Sequence, residues 1–283
     1  MDNIESYKKF LAVNQPSFPE PKIIDSFEHL LRDWKKATLE YSVKIKDGKA
    51  YPFRINVWHK TPRFAEYKRA MSFLNEIGKI EPKIDYSKVI ELIKVIDLNK
   101  LDFLIVGIDL RERIQDSRFK IWFIANNYPE KIAECLEMHG KPPEVDECLH
   151  DDNLLFGLDF FPGGKSRIKI YPEYLLDGEG AEQNLDKLKK LLKPRTSELA
   201  EKCSRIHISF SEDHFKRVIH FKPKNPDEFL NKISDADITD INDQYKQKGF
   251  SLDIVSALED DIEQKAVKEI NLYYVLPFVQ ELE

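Results

Sequence analysis

Cysteine, tryptophan and long hydrophobic runs are scarce in this chain of 283 residues, which has three cysteines and three tryptophans. Three cysteines are too few for a disulfide framework, so we expect a reduced, cytoplasmic setting. No run approaches the ~18 apolar residues that a membrane span needs. Residues 1–5 have neither the basic start nor the apolar segment of a signal peptide. We therefore expect no membrane partner.

The chain also lacks a net positive charge, because its 44 Lys and Arg are outnumbered by 50 Asp and Glu, which gives a net charge of -6. A general nucleic-acid-binding protein needs a basic surface, so we expect no nucleic-acid partner, and any anion site must be local. A spacing of C-x3-H-x8-C-x-H matches no common zinc motif; it is formed by Cys135, His139, Cys148 and His150. The acidic pairs Asp151-Asp152 and Asp260-Asp261 fall outside the predicted strands. We expect no metal ligand from the protein itself.

What the sequence does contain is a series of five strand hairpins separated by helices. Alternation of apolar and polar residues predicts strands at 39–46, 51–59, 103–111, 117–125, 154–161, 165–171, 204–210, 217–222, 250–257 and 268–277. Apolar residues at three-four spacing predict helices over 21–37, 62–76, 85–96, 129–138, 183–192, 225–233 and 240–247. No Ser-rich or Pro-rich linker divides the chain, so residues 1–283 are interpreted as a single domain.

The polar faces of three predicted strands each carry cations together with an aromatic ring or a phenol. Alternate side chains of a strand share one face of the sheet, which groups Arg54, Asn56 and Trp58, then Lys120 and Trp122, and then Arg167, Lys169 and Tyr171. Amphipathic helices would cover the apolar faces, so the polar faces must turn inward. Ten antiparallel strands can close into a barrel with a ligand-sized lumen. A polar lumen of this kind suits an anionic, phosphorylated ligand, and the alternative is a solvated sheet face.

Five short motifs along the chain resemble the cyanobactin prenyltransferases, which belong to the ABBA prenyltransferase superfamily. The motifs are Leu39-Glu40-x-Ser42-x-Lys44-Ile45, Gly107-Ile108-Asp109-Leu110-Arg111, Tyr128-Pro129-Glu130-Lys131, Gly157-x-Asp159-Phe160 and Leu272-Tyr273-Tyr274. The resemblance implies an α+β fold, a ten-stranded antiparallel barrel surrounded by helices and built from five αββα units. It also implies an enzyme that moves an isoprenyl group from its diphosphate to a ribosomally made, macrocyclic peptide.

The resemblance assigns roles to residues of the predicted lumen. Glu40 matches the general base that faces the acceptor, unless it is only a structural partner of Lys44. The candidate diphosphate ligands are Arg54, Lys120, Arg167, Lys169, Tyr171, Tyr273 and His220. Trp58 and Trp122 are the candidate prenyl-pocket residues, His207 is a further lumen candidate, and Asn271 stands where some relatives have arginine. Mg²⁺ would bind through the donor diphosphate.

These residue types suit the chemistry of isoprenyl transfer. The diphosphate leaving group carries about three negative charges, which fixed cations must stabilise, and guanidinium groups bind phosphate oxygens in pairs. Aromatic walls exclude water and face the allylic cation. The bulk of Trp58 favours dimethylallyl over geranyl diphosphate. Two alternatives remain: transfer to a free small aromatic such as an indole or phenol, and a non-catalytic carrier of a phosphorylated lipid.

Overall fold

Ten antiparallel strands close into one barrel, as the sequence predicts. The computed structural model describes residues 3–14, 20–34, 37–62, 64–81, 83–125, 137–140, 145, 148–149, 154–212, 214–233 and 236–276. Each strand pairs with its neighbours in the chain, and β1 closes the barrel against β10. The strands are β1 (Thr38–Lys46), β2 (Lys49–Lys60), β3 (Phe103–Asp109), β4 (Arg118–Ala125), β5 (Leu154–Phe160), β6 (Ser166–Leu175), β7 (Cys203–Ser211), β8 (His214–Pro223), β9 (Ser251–Leu258) and β10 (Glu269–Val275).

The first hairpin shows how local sequence sets the strand register. Asp47 and Gly48 connect β1 to β2 with φ angles of 49° and 71°. Positive φ at both central residues is the type I′ geometry that matches the twist of a hairpin and favours Asp-Gly. The prediction of a hairpin at this dipeptide is confirmed.

Helices cover the outside of the barrel over the described residues. They are α1 (Asn3–Asn14), α2 (Pro21–Asp33), α3 (Phe64–Ile80), α4 (Ser87–Val95), α5 (Ala181–Leu191), α6 (Pro194–Ala200), α7 (Pro226–Ile233), α8 (Ala236–Gln247) and α9 (Glu259–Glu263). The sequence analysis missed α1, α6 and α9, which are short or bury few apolar side chains. The predicted helix at 129–138 lies almost entirely outside the described residues. None of the described helices is long and apolar enough to cross a bilayer.

The main hydrophobic core lies between the outer faces of the strands and these helices. Helix α2 buries Ile23, Phe27 and Leu31 against it, at the three-four spacing of one helix face. Tyr41 of β1 stacks on Phe10 of α1 with ring centroids 4.5 Å apart. Burying an apolar side chain of this size contributes ~1.5–3 kcal/mol. This outer core leaves the inner face of the sheet free for a lumen.

The expectation of a polar lumen is wrong for one half of the barrel. Ile105, Trp122, Leu155 and Tyr171 form a second apolar cluster, separate from the outer core. Ile105 of β3 and Leu155 of β5 lie where their strands are apolar on both faces, outward against the helices and inward against the cavity. A strand that is buried on both faces shows no alternation, so its inward residues carry no polar signal in the sequence.

Candidate active site

The lumen consists of two cavities joined by a collar of four side chains that line both: Trp122, Tyr171, His220 and Tyr273. Ring centroids are 5.7 Å apart between Trp122 and Tyr171, and 5.5 Å between Tyr171 and His220. The third contact, between His220 and Tyr273, is 6.2 Å. Aromatic faces therefore surround the passage from one cavity to the other.

The first cavity, which we call the basic chamber, has a volume of about 380 Å³. Six cationic side chains line it, namely Lys44, Arg54, Arg118, Lys120, Arg167 and Lys169. Four of them are the cations that the sequence analysis assigned to a diphosphate, and all four face this one cavity. Their role as diphosphate ligands stays a prediction, but their placement meets its geometric requirement.

A belt of alternating charge crosses five neighbouring strands of the basic chamber. Asp109 lies 3.2 Å from the Nε of Arg54 and 2.8 Å from the Nε of Arg118. Asp159 lies 3.4 Å from Arg118 and 3.1 Å from the Nζ of Lys169. The ion pairs with the two aspartates therefore fix the positions of the cationic side chains, as supporting residues do in a preorganised binding site.

Arg118 and the two aspartates were missed as site residues in the sequence. Residue 118 has the same strand parity as Lys120 and Trp122, so the alternation of β4 could have identified it. Asp109 and Asp159 lie within two of the motifs quoted above, where they were not given a role. Both are fully buried. A buried carboxylate must pair with a cation. An aspartate within a predicted strand could therefore have indicated the ion pairs of the belt.

Opposing effects act on the protonation of the belt carboxylates. Burial alone would raise the pKa of Asp109, but the guanidinium groups of Arg118 and Arg54 outweigh it and hold the pKa well below its ordinary range. Asp159 follows the same pattern, with Lys169 and Arg118 outweighing burial and lowering its pKa. Both carboxylates are therefore ionised at neutral pH.

Lys120 differs from the other cations of the basic chamber. It is 3% exposed, and within the part of the chain that the structure describes no carboxylate lies in ion-pair range of its ammonium. The Nζ lies 5.4 Å from the ring centroid of Trp122. Burial, together with the positive charge of Arg54, lowers the pKa of Lys120 well below its ordinary value. An anion in the chamber would favour the charged form of this lysine.

The second cavity, the aromatic chamber, has a volume of about 240 Å³ and holds Glu40 beyond the collar. Glu40 is 7% exposed and accepts a hydrogen bond of 2.6 Å from the Nδ2 of Asn56. Burial raises the pKa of Glu40 to about 7, against the lowering effect of that hydrogen bond. The alternative in which Glu40 pairs with Lys44 is wrong, because Lys44 donates to Glu269 instead.

The predicted prenyl-pocket residues lie on the wall of the aromatic chamber. Trp58 packs edge-on against Phe103 with ring centroids 5.9 Å apart. Trp122 occupies space above Gly157, where a Cβ atom would lie 2.4 Å from its Cδ1. The missing side chain of Gly157 therefore fixes where the indole lies.

Charged side chains line the remaining wall of the aromatic chamber in matched pairs. Glu173 contacts both Arg205 and the Nε2 of His207 at 3.1 Å. Lys222 and Asp253 form a second pair, with a closest distance of 3.0 Å. His207 thus lies in the lumen, as predicted. His220 is half-buried. Desolvation and the nearby His207 lower its pKa well below the ordinary value, so it is a neutral collar residue.

The arrangement of carboxylates bears on whether the chain could hold Mg²⁺. The described residues contain no cluster of three or more metal-ligating side chains. Asp109, Asp159 and Glu269 each face lysine or arginine groups. These residues do not fit a protein-held Mg²⁺ site.

The other candidate motifs lie elsewhere. Cys135, His150 and the acidic pair at 151–152 are outside the described residues. Asp260 and Glu263 lie on α9, outside the barrel wall. Glu263 accepts hydrogen bonds from the backbone and hydroxyl of Thr196 at 2.7 and 2.9 Å, and so caps α6. These acidic residues are structural.

Comparisons with known proteins identify a family and a set of structures with the same fold. The sequence matches, over residues 1–276, the family described as a family of unknown function, DUF5838. No curated protein gave a significant match. Among solved structures, 5-dimethylallyl tryptophan synthase from Streptomyces coelicolor, in complex with DMASPP and Trp, is 10% identical with a TM-score of 0.64, and covers 97% of this chain and 95% of its own.

Two further structures share the fold. The 6-dimethylallyltryptophan synthase from Micromonospora olivasterospora has a TM-score of 0.59 at 12% identity, covering 84% of this chain and 82% of its own. The prenyltransferase PriB has a TM-score of 0.61 at 11% identity, covering 94% and 93%. At this level of identity the likeness shows the fold. The expected ABBA barrel is confirmed.

Proposed function

We propose that this chain, which belongs to the DUF5838 family, is a prenyltransferase that moves a dimethylallyl group from its diphosphate to a nucleophilic side chain of a ribosomal, macrocyclic peptide. The observation that carries the proposal is the order of the lumen. A chamber of fixed cations opens through an aromatic collar onto a chamber with a buried glutamate. That order follows the reaction, in which an anion leaves, a carbocation forms and a proton is removed.

Each part of the lumen has a task in this reaction. The C–O bond between the isoprenyl carbon and diphosphate breaks, and the electron pair leaves with the diphosphate into the basic chamber. Preorganised cations stabilise the charge that develops there. The collar rings face the allylic cation at ~0.5–2 kcal/mol per ring and keep water away. The acceptor atom forms the new bond to carbon, and its proton passes to Glu40.

The choice of a peptide acceptor rests on the charged residues of the aromatic chamber. A free amino acid is a zwitterion and needs one unmatched cation and one unmatched anion. Arg205 and Lys222 are instead already matched by Glu173 and Asp253. A side chain within a macrocycle has no charged termini, so it can enter without breaking these pairs. This argument, with the motif resemblance, supports a peptide of the cyanobactin type.

A free aromatic acceptor is the second candidate function. Three structures with this fold are described as dimethylallyl tryptophan synthases or as a prenyltransferase complex with L-tryptophan. The structural match with the Streptomyces enzyme spans almost the whole of both chains. Chain length therefore does not distinguish a peptide acceptor from a free aromatic acceptor.

The cellular setting and the metal remain parts of the proposal. We place the protein in the cytoplasm because its few cysteines fit a reducing compartment. Mg²⁺ would enter only with the donor diphosphate, as a counter-ion to its oxygens.

The direct test is product analysis by mass spectrometry. The full chain is incubated with dimethylallyl or geranyl diphosphate and with a panel of cyclic peptides, their linear forms, free tryptophan and free tyrosine. We expect a mass gain of one five-carbon unit on a cyclic peptide and little on the free amino acids. Modification of free tryptophan alone would support the second candidate. Donor binding without any product would support the lipid-carrier alternative.

Substitution of Trp58 tests the choice of donor. Strand rise places Trp58 roughly 13 Å beyond Arg54 along the lumen face of β2, where its indole fills the space that a second isoprene unit needs. Trp58→Gly should therefore shift the preference from dimethylallyl towards geranyl transfer by at least tenfold. The measurement is a competition assay with both donors at equal concentration.

Tyr51→Gly is the matched control for this substitution. It also replaces an aromatic residue of β2 with glycine, but Tyr51 lies outside both chambers between Lys49 and Arg111. It should leave the donor preference unchanged. A wild-type protein that already prefers geranyl diphosphate, or a Trp58→Gly variant with the same preference as wild type, would contradict the assignment.

A further inference from the structure

Asn56 and Gly107 form a cross-strand set with Glu40 that the proposed reaction does not yet use. Glu40 of β1 pairs in register with Asn56 of β2, and Asn56 pairs with Gly107 of β3. Asn56 is 3% exposed, and the only hydrogen bond of its side chain among the described residues is the one that it donates to the Oε1 of Glu40. An ionised carboxylate only accepts, so with Glu40 in its ionised form this contact requires the amide nitrogen to face Glu40.

The absence of a side chain at residue 107 determines where the amide lies. A Cβ atom at this position would lie 2.2 Å from the Oδ1 of Asn56 and 3.3 Å from its Cγ. Glycine weakens a strand interior unless a neighbour needs the space, and here the neighbour is Asn56. Since the φ angle of Gly107 is not positive, the glycine is required for space and not for backbone conformation.

The amide oxygen gives a second, independent indication. Oδ1 of Asn56 is buried without a hydrogen-bond partner in the described part of the chain. An unsatisfied buried acceptor destabilises the folded protein. An aliphatic side chain would avoid this cost, so a purely structural role does not account for asparagine here. The hydrogen bond that the Nδ2 of Asn56 donates to Glu40 accounts for the asparagine.

We propose that Asn56, seated against Gly107, is a positioning residue that holds Oε1 of Glu40 and so leaves Oε2 to take the proton of the acceptor. This inference rests on the proposed function. As the bond between the acceptor atom and the allylic carbon forms, the acceptor proton moves to Oε2 and the electron pair of the broken C–O bond stays on the diphosphate. Asn56 itself is not among the residues that line either chamber.

Other charged groups also act on Glu40, and the test must separate them from Asn56. Asp253 of β9 raises the pKa of Glu40, whereas Lys120 of β4 and Arg54 of β2 lower it. None of these is changed by substitutions at residues 56 and 107. Loss of the Asn56 donor alone should therefore raise the pKa of Glu40.

The experiment compares Asn56→Leu and Gly107→Ala with wild type. Infrared difference titration against Glu40→Gln measures the Glu40 carboxyl directly, and turnover is measured from pH 5.5 to 9. We expect both variants to move the titration and the acid limb of kcat to higher pH. At pH 7, kcat should fall at least tenfold while KM for dimethylallyl diphosphate stays within twofold. Gly107→Ala keeps the test decisive if Asn56→Leu does not fold, because it only displaces a flexible amide.

Asn184→Leu is the control, because it removes a buried amide that donates to the backbone of Leu175, outside the lumen. It should lower stability and leave the pH profile in place. An unchanged Glu40 titration in both variants overturns the inference, as does a shifted titration with an unchanged kcat profile. Failure of the proposed function is a different result, namely no turnover by wild type on any donor and acceptor. The infrared titration would then still support or overturn the orienting hydrogen bond.

Discussion

Glu40→Gln should reduce turnover by ~10²–10⁴-fold, the range that a general base contributes, while dimethylallyl diphosphate binds almost as tightly as to wild type. The glutamine is nearly isosteric and can still accept the hydrogen bond from Asn56, but it cannot take a proton. Glu40 lies in the aromatic chamber, across the collar from the donor cations. The measurements are single-turnover rates and calorimetric titration with the donor.

The wild-type pH profile adds a second readout to this prediction. Burial raises the pKa of Glu40 to about 7, and a base acts only when it is ionised. Turnover should therefore rise as pH increases through about 7. Glu228→Gln, at an exposed position on α7, is the matched control and should behave as wild type. Near wild-type turnover by Glu40→Gln would remove Glu40 from the mechanism.

Asp109→Asn should lower the free energy of unfolding by about 3–5 kcal/mol, the cost of removing one partner from a buried ion network. Asp109 is fully buried and contacts Arg54, Arg111 and Arg118 within 3.2 Å. Without it these guanidinium groups repel one another. Pyrophosphate should stabilise this variant more than wild type, because the anion supplies the missing negative charge. The measurement is urea unfolding with and without pyrophosphate.

The pH dependence of that difference has a definite sign. The folded-state pKa of Asp109 is lowered, so its contribution is fully present above the unfolded carboxyl pKa of roughly 4 and is lost only as pH falls below it. The difference in the free energy of unfolding between the variant and wild type should therefore have its full value at pH 7 and become smaller in strong acid. Asp177→Asn, at a surface pair with Lys224 outside both chambers, should show no measurable change. Equal pyrophosphate stabilisation of Asp109→Asn and wild type would contradict the charge-belt argument.

The sequence by itself determined the hairpins and the inward faces of most strands. Strand period is two residues, so knowing that Ile55 and Val57 pack outward places Arg54, Asn56 and Trp58 inward, without knowledge of the rest of the fold. Asp47-Gly48 fixed the first turn for a similarly local reason. The resemblance added an order of strands and a candidate base, and the barrel agrees with that order.

Only the tertiary structure decided which side chains meet across the lumen. Alternation gives the face of a residue but not its height or its neighbours, which depend on how the strands stagger and on β1 closing against β10. The partner of Glu40 was therefore Asn56 and not Lys44, and Arg118 joined Asp109 and Asp159 in one belt. The apolar cluster of the lumen could not be predicted either. Strands that are buried on both faces lack the alternation of apolar and polar residues that indicates which face turns inward.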